Sequence, residues 1–202
     1  ENEEGAKEAA ERHEICHGTI DSWLVYKLTD GKEYRTDYSN ASRTQLFNIF
    51  DLKWDKEICE LFEINPANMA EVTDSDACFG ETDFEGLLPN KIPIHGVLGD
   101  SHGALFGQGC LQPGMIKSTY GTGSSIMMNI GEKPILSTHG VVTSLAWKIG
   151  GKVNYVLEGN LNYTGAVISW LKDDLQIIAS PGETEELAKE AIKEDSLYLV
   201  PA

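Results

Sequence analysis

The sequence predicts an α/β protein whose chain leaves one domain and enters a second near its middle. Helical and strand-like patterns mix in the first half, and a stretch at residues 108–114 that contains glycine and proline interrupts them. Short strand-like segments then follow one another, joined by turns that contain glycine. These three observations divide the chain into residues 1–110, the end of one domain, and residues 111–202, the beginning of the next.

The first half is predicted to hold helices separated by polar loops. Apolar residues at helical spacing favour a helix over residues 20–28, with Asp21 capping its first turn. The other predicted features of this half are a solvated helix at 3–12, a turn at 29–32, a polar loop at 36–44, a helix at 55–62 and a loop-rich stretch at 65–90.

A short buried strand is predicted at residues 92–98, and Gly99 and Asp100 follow it directly before a helix that starts at Ser101. A carboxylate here lies at the carboxyl end of a strand and beside unpaired helix N–H groups, where ligands commonly bind. Asp100 is therefore the candidate catalytic base, which would accept a proton from an attacking hydroxyl. We interpret His102 as pocket wall or helix cap, because side chains two residues apart at a helix start do not reliably face each other.

The second half is predicted to be mostly strands, then helices. A Gly150-Gly151 pair indicates a hairpin turn between two of the strands. The predicted strands are 115–120, 125–130, 141–149 and 153–157, the predicted helices are 163–175 and 183–192, and a further strand begins at residue 197. Because the chain starts within a helical pattern and stops as a strand begins, we expect it to be a fragment.

A glycine-containing turn at residues 120–125 joins two of these strands. Gly121 and Gly123 let the backbone come close to a ligand, and successive N–H groups with the hydroxyls of Thr122 and Ser124 can cradle phosphate oxygens. It is not a Walker loop, because no lysine follows and a strand flanks it on each side. An ordinary tight hairpin is the alternative interpretation.

Composition argues against several classes of function. The chain has 32 acidic and 16 basic residues, and its formal net charge of −16 repels nucleic acid and anionic membrane surfaces. It contains no run of 18 apolar residues, the length that would span a bilayer. The four cysteines lack C-x-x-C spacing, so each is predicted to be a reduced core residue of a cytoplasmic protein. The histidines lack the spacing of metal ligands, and the four tryptophans are expected in the core.

Ordered matches along nearly the whole chain from Gly18 resemble the FGGY carbohydrate kinases. The matching segments are GTIDSWL at 18–24, TDYSNASRT at 36–44, LFNI at 46–49, GD at 99–100, ALFGQ at 104–108, PGM at 113–115, YGTG at 120–123 and LEG at 157–159. The resemblance implies two actin-like domains, each with a ribonuclease-H-like α/β core, and substrates in the cleft between them. It also implies transfer of the ATP γ-phosphoryl group to a hydroxyl of a polyol or sugar, with Mg²⁺.

The resemblance assigns roles to individual residues. Asp100 matches the family's catalytic base, and it is also the residue expected to hold the metal and to contact the acceptor. Gly121 and Thr122 match the turn that touches the nucleotide phosphates, and Gly165 matches a glycine near the nucleotide. Ser169 stands where the members that phosphorylate glycerol usually have a glutamine that contacts the nucleotide.

Two departures from the glycerol-phosphorylating members fall at expected substrate positions. Ser101 replaces a glutamine, and Ser125 replaces a phenylalanine that packs against the acceptor's carbon chain. Two small hydroxyls should enlarge and wet the pocket, which makes a tetritol or a pentulose an alternative to glycerol. The sequence also leaves open a non-catalytic actin-fold nucleotide-binding protein and a hydrolase of the same superfamily. The oligomeric state stays open, a homo-oligomer included.

A fragment of this kind is expected to lack parts of the site that the kinase reaction needs. The resemblance puts the family's first phosphate loop and most sugar-binding residues before this chain, and its adenosine-binding segment after it. We therefore expect these 202 residues alone to be inactive, because half of the electrostatic clamp on the transferring phosphoryl group would be missing.

Overall fold

The computed structural model describes residues 5–12, 14–191 and 200, which form helices and strands in both halves of the chain. The helices are α1 (Ala6–Glu11), α2 (Ile20–Leu28), α3 (Tyr38–Ala41), α4 (Lys56–Leu61), α5 (Asp100–Gly107), α6 (Gly165–Asp173) and α7 (Glu183–Glu190). The strands are β1 (Arg35–Asp37), β2 (Phe47–Asn48), β3 (Lys53–Trp54), β4 (Glu71–Thr73), β5 (Cys78–Thr82), β6 (Ile92–His95), β7 (Ile116–Tyr120), β8 (Ser124–Gly131), β9 (Val142–Ile149) and β10 (Lys152–Leu161). The predicted strand from residue 197 and the end of the predicted helix 183–192 lie outside the described residues.

The second half is built on a four-stranded antiparallel sheet with the strand order β7-β8-β10-β9. All four strands coincide with predicted ones, as does the Gly150-Gly151 hairpin, where both glycines have positive φ angles of 57° and 76°. In the register of this sheet, Met127 on β8 lies opposite Lys117 on β7 and Glu158 on β10. These three residues therefore form one row across the sheet.

Among its described residues, the first half contains three two-stranded pairings, of which β1 with β4 is parallel and the other two are antiparallel. The predicted polar loop at 36–44 is wrong, because this segment forms the end of β1 and helix α3. The Asp37 side chain caps α3 by accepting hydrogen bonds from the N–H groups of Ser39 and Asn40. Polar residues that satisfy one another can be buried, and Asp37 and Ser39 are both fully buried.

Both described hydrophobic clusters combine residues from the two halves. One contains Leu105 of α5 with Met127 and Val156 of the sheet, and the other packs Tyr38 and Phe47 against strand residues of the second half. The hydroxyl of Tyr155 donates a hydrogen bond to the carbonyl of Ile49 across the same junction, at 2.8 Å. The division at residues 110 and 111 stays a prediction, and the described core spans it.

Several finer expectations are wrong. Thr19, not Asp21, is the N-cap of α2, and the Asp21 carboxylate accepts a hydrogen bond from the Thr36 hydroxyl at 2.6 Å. The loop-rich stretch at 65–90 contains β4 and β5, and the predicted buried strand at 92–98 ends at His95 with Ile92 exposed. Among the described residues its strand β6 pairs with β5, and three of the four residues of β6 are exposed.

Two cysteines and two tryptophans predicted in the core are exposed. Cys16 precedes α2 and Cys78 begins the short strand β5, whereas Cys59 and Cys110 are buried. Trp23 and Trp170 are 55% and 40% exposed, because α2 and α6 turn only part of their apolar residues towards the described core. The remaining expectations for helices and turns agree with the structure within a few residues.

Candidate active site

Asp100 is the first residue of α5, and it follows Gly99, the N-cap residue of that helix. Its side chain is exposed, and its Oδ1 accepts a hydrogen bond from the Ser101 N–H at 2.6 Å. The positive end of the helix dipole stabilises a carboxylate at this position. Asp100 forms no ion pair within the described part of the chain, so its second oxygen is available to a ligand.

His102, one residue beyond Ser101, is buried beneath the start of α5. Burial lowers the pKa of His102 to about 4, and the nearby Arg43 guanidinium and Lys117 ammonium also act to lower this pKa. The carboxylates of Glu158 and Asp100 act in the opposite direction and partly offset this lowering of the pKa. The imidazole is therefore neutral at pH 7, and these four charged groups surround it.

Glu158 on β10 is a buried carboxylate with two partners. Its Oε1 accepts a hydrogen bond from the Ser125 hydroxyl at 2.9 Å, and its Oε2 lies 2.9 Å from Nη1 of Arg43. The Arg43 contact is Coulombic in character, because no well-aligned hydrogen bond among the described residues reaches Oε2. Since the Ser125 proton points at Glu158, the lone pairs of Ser125 Oγ remain to accept a hydrogen bond.

The glycine turn between β7 and β8 is held by the first turn of α6. The carbonyl of Gly121 accepts from the Gly165 N–H at 2.9 Å, and that of Thr122 accepts from Thr164 and Ala166 at 3.0 and 3.1 Å. A Cβ on Gly165 would lie 2.5 Å from the Gly121 carbonyl oxygen, so only glycine fits there without displacing the turn.

A cavity of about 450 Å³ opens beside this turn. Thr122, Gly165 and Ser169 line it, and the other lining residues are Ala166, Trp170, Asp173 and Asp174. Within the described residues, the N–H groups of Thr122 and Gly123 donate to no protein acceptor. The turn therefore offers two main-chain donors, which is the arrangement that phosphate oxygens need.

The predicted site residues thus fall into two groups. Thr122, Gly165 and Ser169 share the cavity, and Gly121 joins them through its hydrogen bond to Gly165. Asp100 and Ser101 begin α5, and Ser125 bonds to Glu158, whose carboxylate, like that of Asp100, acts on the buried His102. Among the residues the structure describes, no hydrogen bond joins Ser125 to Asp100 or Ser101.

Asp100 is the residue of the candidate site that is best suited to hold a metal ion. No cluster of three or more histidine, cysteine or acidic side chains suited to a metal occurs among residues 5–12, 14–191 and 200. The exposed Asp100 carboxylate fits Mg²⁺, which is usually held by one or two carboxylates together with substrate phosphates.

No helix in the described ranges has the length and hydropathy needed to cross a membrane.

Sequence reasoning does not identify Arg43 and Glu158 as partners. Arg43 lies in a polar segment whose composition is typical of a loop, and Glu158 enters only as part of a matching motif. The sequence signal for Glu158 is that it is a carboxylate in the middle of an otherwise apolar strand pattern. A carboxylate buried in this way needs a cation or a hydroxyl nearby. The position of that partner cannot be read from the sequence, because the two residues lie far apart along the chain.

Comparison with known proteins gives a consistent result. Residues 1–107 match the N-terminal domain and residues 116–200 the C-terminal domain of the FGGY family of carbohydrate kinases. The chain is 53% identical to glycerol kinase 1 of Thermotoga maritima over all 202 residues, which is 41% of that protein. The chain thus spans about two fifths of the length of that curated relative.

Solved structures agree on the fold. The crystal structure of Plasmodium falciparum glycerol kinase with ADP superposes with a TM-score of 0.86 at 34% identity, covering 94% of this chain and 38% of that one. Xylulose kinase from Lactobacillus acidophilus superposes with a TM-score of 0.72 at 19% identity, covering 86% of this chain and 35% of that one. The predicted α/β actin-like sugar kinase fold is confirmed, and the chain belongs to the FGGY family of carbohydrate kinases.

Proposed function

We propose that the full-length protein containing this chain transfers the γ-phosphoryl group of ATP to a hydroxyl of a small polyol, with glycerol as the first candidate. The observation that carries the proposal is Asp100, an exposed carboxylate at the start of α5 beside the charged groups around His102. The identity of 53% to a glycerol kinase over the whole chain supports the choice of acceptor.

In this reaction Asp100 is the general base. The acceptor oxygen forms a bond to the γ-phosphorus as the bond between that phosphorus and the β–γ bridging oxygen breaks. The acceptor proton moves to an Asp100 carboxylate oxygen, and ADP leaves with the bridging oxygen. An exposed carboxylate whose protein partner is a single N–H can take up this proton without breaking an ion pair.

The glycine turn and the start of α6 bind the nucleotide in this proposal. The N–H groups of Thr122 and Gly123 would donate to phosphate oxygens, and Gly165 would allow the backbone to approach. Ser169 lies on the cavity wall, where its hydroxyl can contact the nucleoside. The carboxylates of Asp173 and Asp174 would repel phosphate, so the ribose or base would face them.

Mg²⁺ belongs to the same proposal. Asp100 would hold the ion together with phosphate oxygens of the nucleotide, which fits the single free carboxylate at this position. When bound, the ion supplies positive charge that neutralises the phosphates.

A tetritol or a pentulose is the second candidate acceptor. Ser101 and Ser125 place small hydroxyls where larger side chains are expected in the glycerol-phosphorylating members. Because Ser125 donates its proton to Glu158, its oxygen would accept a hydrogen bond from an additional acceptor hydroxyl. A small-molecule partner and a cytoplasmic location are part of the proposal.

ADP release by the full-length protein tests the proposal, with glycerol, erythritol, xylulose and ribulose assayed side by side. We expect ADP release to depend on the acceptor and to be fastest with glycerol. A faster reaction with erythritol or a ketopentose would instead assign specificity to Ser101 and Ser125. ADP release at one rate with every acceptor, and without any, would contradict a kinase and indicate a hydrolase.

A further inference from the structure

The short segment that leads into Asp100 is held at two main-chain positions. The N–H of Val97 donates to the carbonyl of Ser75 at 3.0 Å, and the N–H of Gly99 donates to Oγ of Ser39 at 2.8 Å. The Gly99 carbonyl accepts from Gly103 at 2.7 Å inside α5. Both main-chain polar groups of the residue before Asp100 are therefore fixed.

One buried carboxylate holds both of the serines in these contacts. Oδ1 of Asp37 accepts from the Ser39 hydroxyl at 2.9 Å, and Oδ2 accepts from the Ser75 hydroxyl at 2.7 Å. Asp37 is fully buried and accepts three further hydrogen bonds from Ser39 and Asn40. We call the three residues Asp37, Ser39 and Ser75 the Asp37 clamp.

The direction in which the Ser39 hydroxyl donates its proton determines what its oxygen can accept. The Ser39 hydroxyl donates to Asp37, so its oxygen lone pairs are left to accept the Gly99 N–H. The main chain at Gly99 also lies close to the imidazole of His102, since a Cβ on Gly99 would lie 2.8 Å from its Nδ1. Burial raises the pKa of Asp37, and the hydrogen bonds from Asn40, Ser75 and Ser39 lower it in opposition.

Helix capping alone does not require this arrangement. Asp55 caps α4 by accepting from the Ile58 N–H at 3.1 Å, and its other side-chain contact is the nearby Asn48 amide at 3.3 Å. Asp37 also satisfies Ser75, which lies far along the chain and whose Oγ accepts from the Lys148 N–H at 3.2 Å. The buried carboxylate thus connects α3, the segment before Asp100, and strand β9.

We propose that the Asp37 clamp positions the catalytic base: Ser39, oriented by Asp37, fixes Gly99 so that the adjacent Asp100 carboxylate stays where the acceptor proton is transferred. The inference rests on the proposed kinase function and adds residues that touch neither substrate. A displacement of about 1 Å in a reacting group lowers turnover by roughly a hundredfold, so a loose segment before Asp100 would be costly.

The test compares Ser39→Ala with Ser42→Ala in the full-length protein. Both serines lie at α3, and each hydroxyl accepts a main-chain N–H from another element, Gly99 for Ser39 and Leu145 for Ser42. Ser42 is half-buried and therefore controls for the loss of a serine hydroxyl at α3 and of a contact between segments. The readouts are kcat and KM per folded molecule, the melting temperature, and amide hydrogen exchange over residues 97–103.

Ser39→Ala should lower kcat by about tenfold or more, leave the KM for ATP within about threefold, and speed exchange over residues 97–103. Ser42→Ala should keep kcat within about threefold and leave that exchange unchanged. Equal kcat values for the two variants, or unchanged exchange in Ser39→Ala, would overturn the clamp. Absence of acceptor-dependent turnover in the unmodified protein would instead contradict the proposed function, and the exchange comparison would still decide whether Ser39 holds the segment.

Discussion

The two parts of the candidate site differ in which atoms form them. In our proposal the acceptor side, around Asp100 and Ser125, consists of charged and hydroxyl side chains near the buried Glu158 and His102. The proposed nucleotide side consists of main-chain carbonyl and N–H groups of a glycine turn that α6 holds in place. A side-chain site can change its specificity by substitution, whereas a main-chain site tolerates different side chains but depends on glycine where backbones meet.

This difference is consistent with the departures from the family that the resemblance implies. The resemblance implies that Ser101 and Ser125 replace larger residues on the proposed acceptor side, while Gly121, Thr122 and Gly165 keep the family pattern on the proposed nucleotide side. We therefore expect variants on the acceptor side to change chemistry and selectivity. Variants on the nucleotide side should weaken nucleotide binding, with the chemical step less affected.

The largest effect is expected for Asp100→Asn in the full-length protein. Loss of the proton acceptor should lower kcat by roughly 10²–10⁴-fold, while the affinity for ADP titrated without Mg²⁺ stays nearly unchanged, because the turn and α6 are untouched. Steady-state kinetics and calorimetric ADP titration measure the two quantities. Asp51→Asn, an exposed carboxylate paired with Lys53, is the control and should keep full turnover. Retained turnover in Asp100→Asn would mean that another group accepts the proton.

Gly165→Ala should have the next largest effect, on the nucleotide side. The added Cβ would lie 2.5 Å from the Gly121 carbonyl oxygen, so the turn and α6 must separate. Overpacking of this kind costs about 1–3 kcal/mol, and if this cost falls on the bound state, ADP binding weakens by roughly 5- to 150-fold. Gly107→Ala at the end of α5 is the control, because nothing lies within 4 Å of its Cβ position. Unchanged ADP affinity in Gly165→Ala would remove the turn from the nucleotide site.

The buried His102 predicts that the free energy of unfolding depends on pH. Burial lowers its pKa from 6.5 to about 4, so between these values the unfolded chain binds a proton that the folded protein does not. Stability is therefore complete above pH 6.5 and is lost as the pH falls towards 4, by roughly 2 kcal/mol at pH 5. Urea unfolding at pH 7 and pH 5 should show a smaller loss in His102→Gln. The exposed His139→Gln should behave like the unmodified protein, and equal losses in all three would contradict this assignment.

The smallest expected effect is a change of acceptor preference in Ser125→Phe. The ring should fill space beside the acceptor and raise the ratio of kcat/KM for glycerol over erythritol by about tenfold. It also leaves Glu158 Oε1 without its hydroxyl donor, so some loss of stability is expected. Ser118→Phe on strand β7, where the side chain is exposed, controls for the added bulk. If the ratio does not move, Ser125 is not part of the acceptor pocket.

Much of the fold could be predicted because its signals are local. The strands of the second half have alternating patterns and glycine turns, and the Gly150-Gly151 hairpin needs the positive φ angles that glycine adopts readily. The prediction for the segment at 36–44 is wrong because its polar residues are buried by bonding to one another around Asp37. The sequence pattern of such a segment is the same as that of a solvated loop.

The candidate site could be predicted only unevenly, for a similar reason. Asp100 and the glycine turn come from short motifs, and these can be recognised within a few neighbouring residues. The Glu158–Arg43 pair and the contact of Ser39 with Gly99 join residues far apart in the chain. Such contacts depend on how the two halves pack together, which local periodicity does not encode.

Acceptor chemistry and nucleotide binding thus belong, in our proposal, to separate parts of the site. Their separation is tested by measuring single-turnover phosphoryl transfer and ADP affinity for Asp100→Asn and Gly165→Ala in parallel in the full-length protein. We expect Asp100→Asn to lose transfer but keep its affinity for ADP titrated without Mg²⁺. Gly165→Ala should lose ADP affinity but recover most of its transfer rate at saturating ATP. Loss of both properties in both variants would contradict the separation.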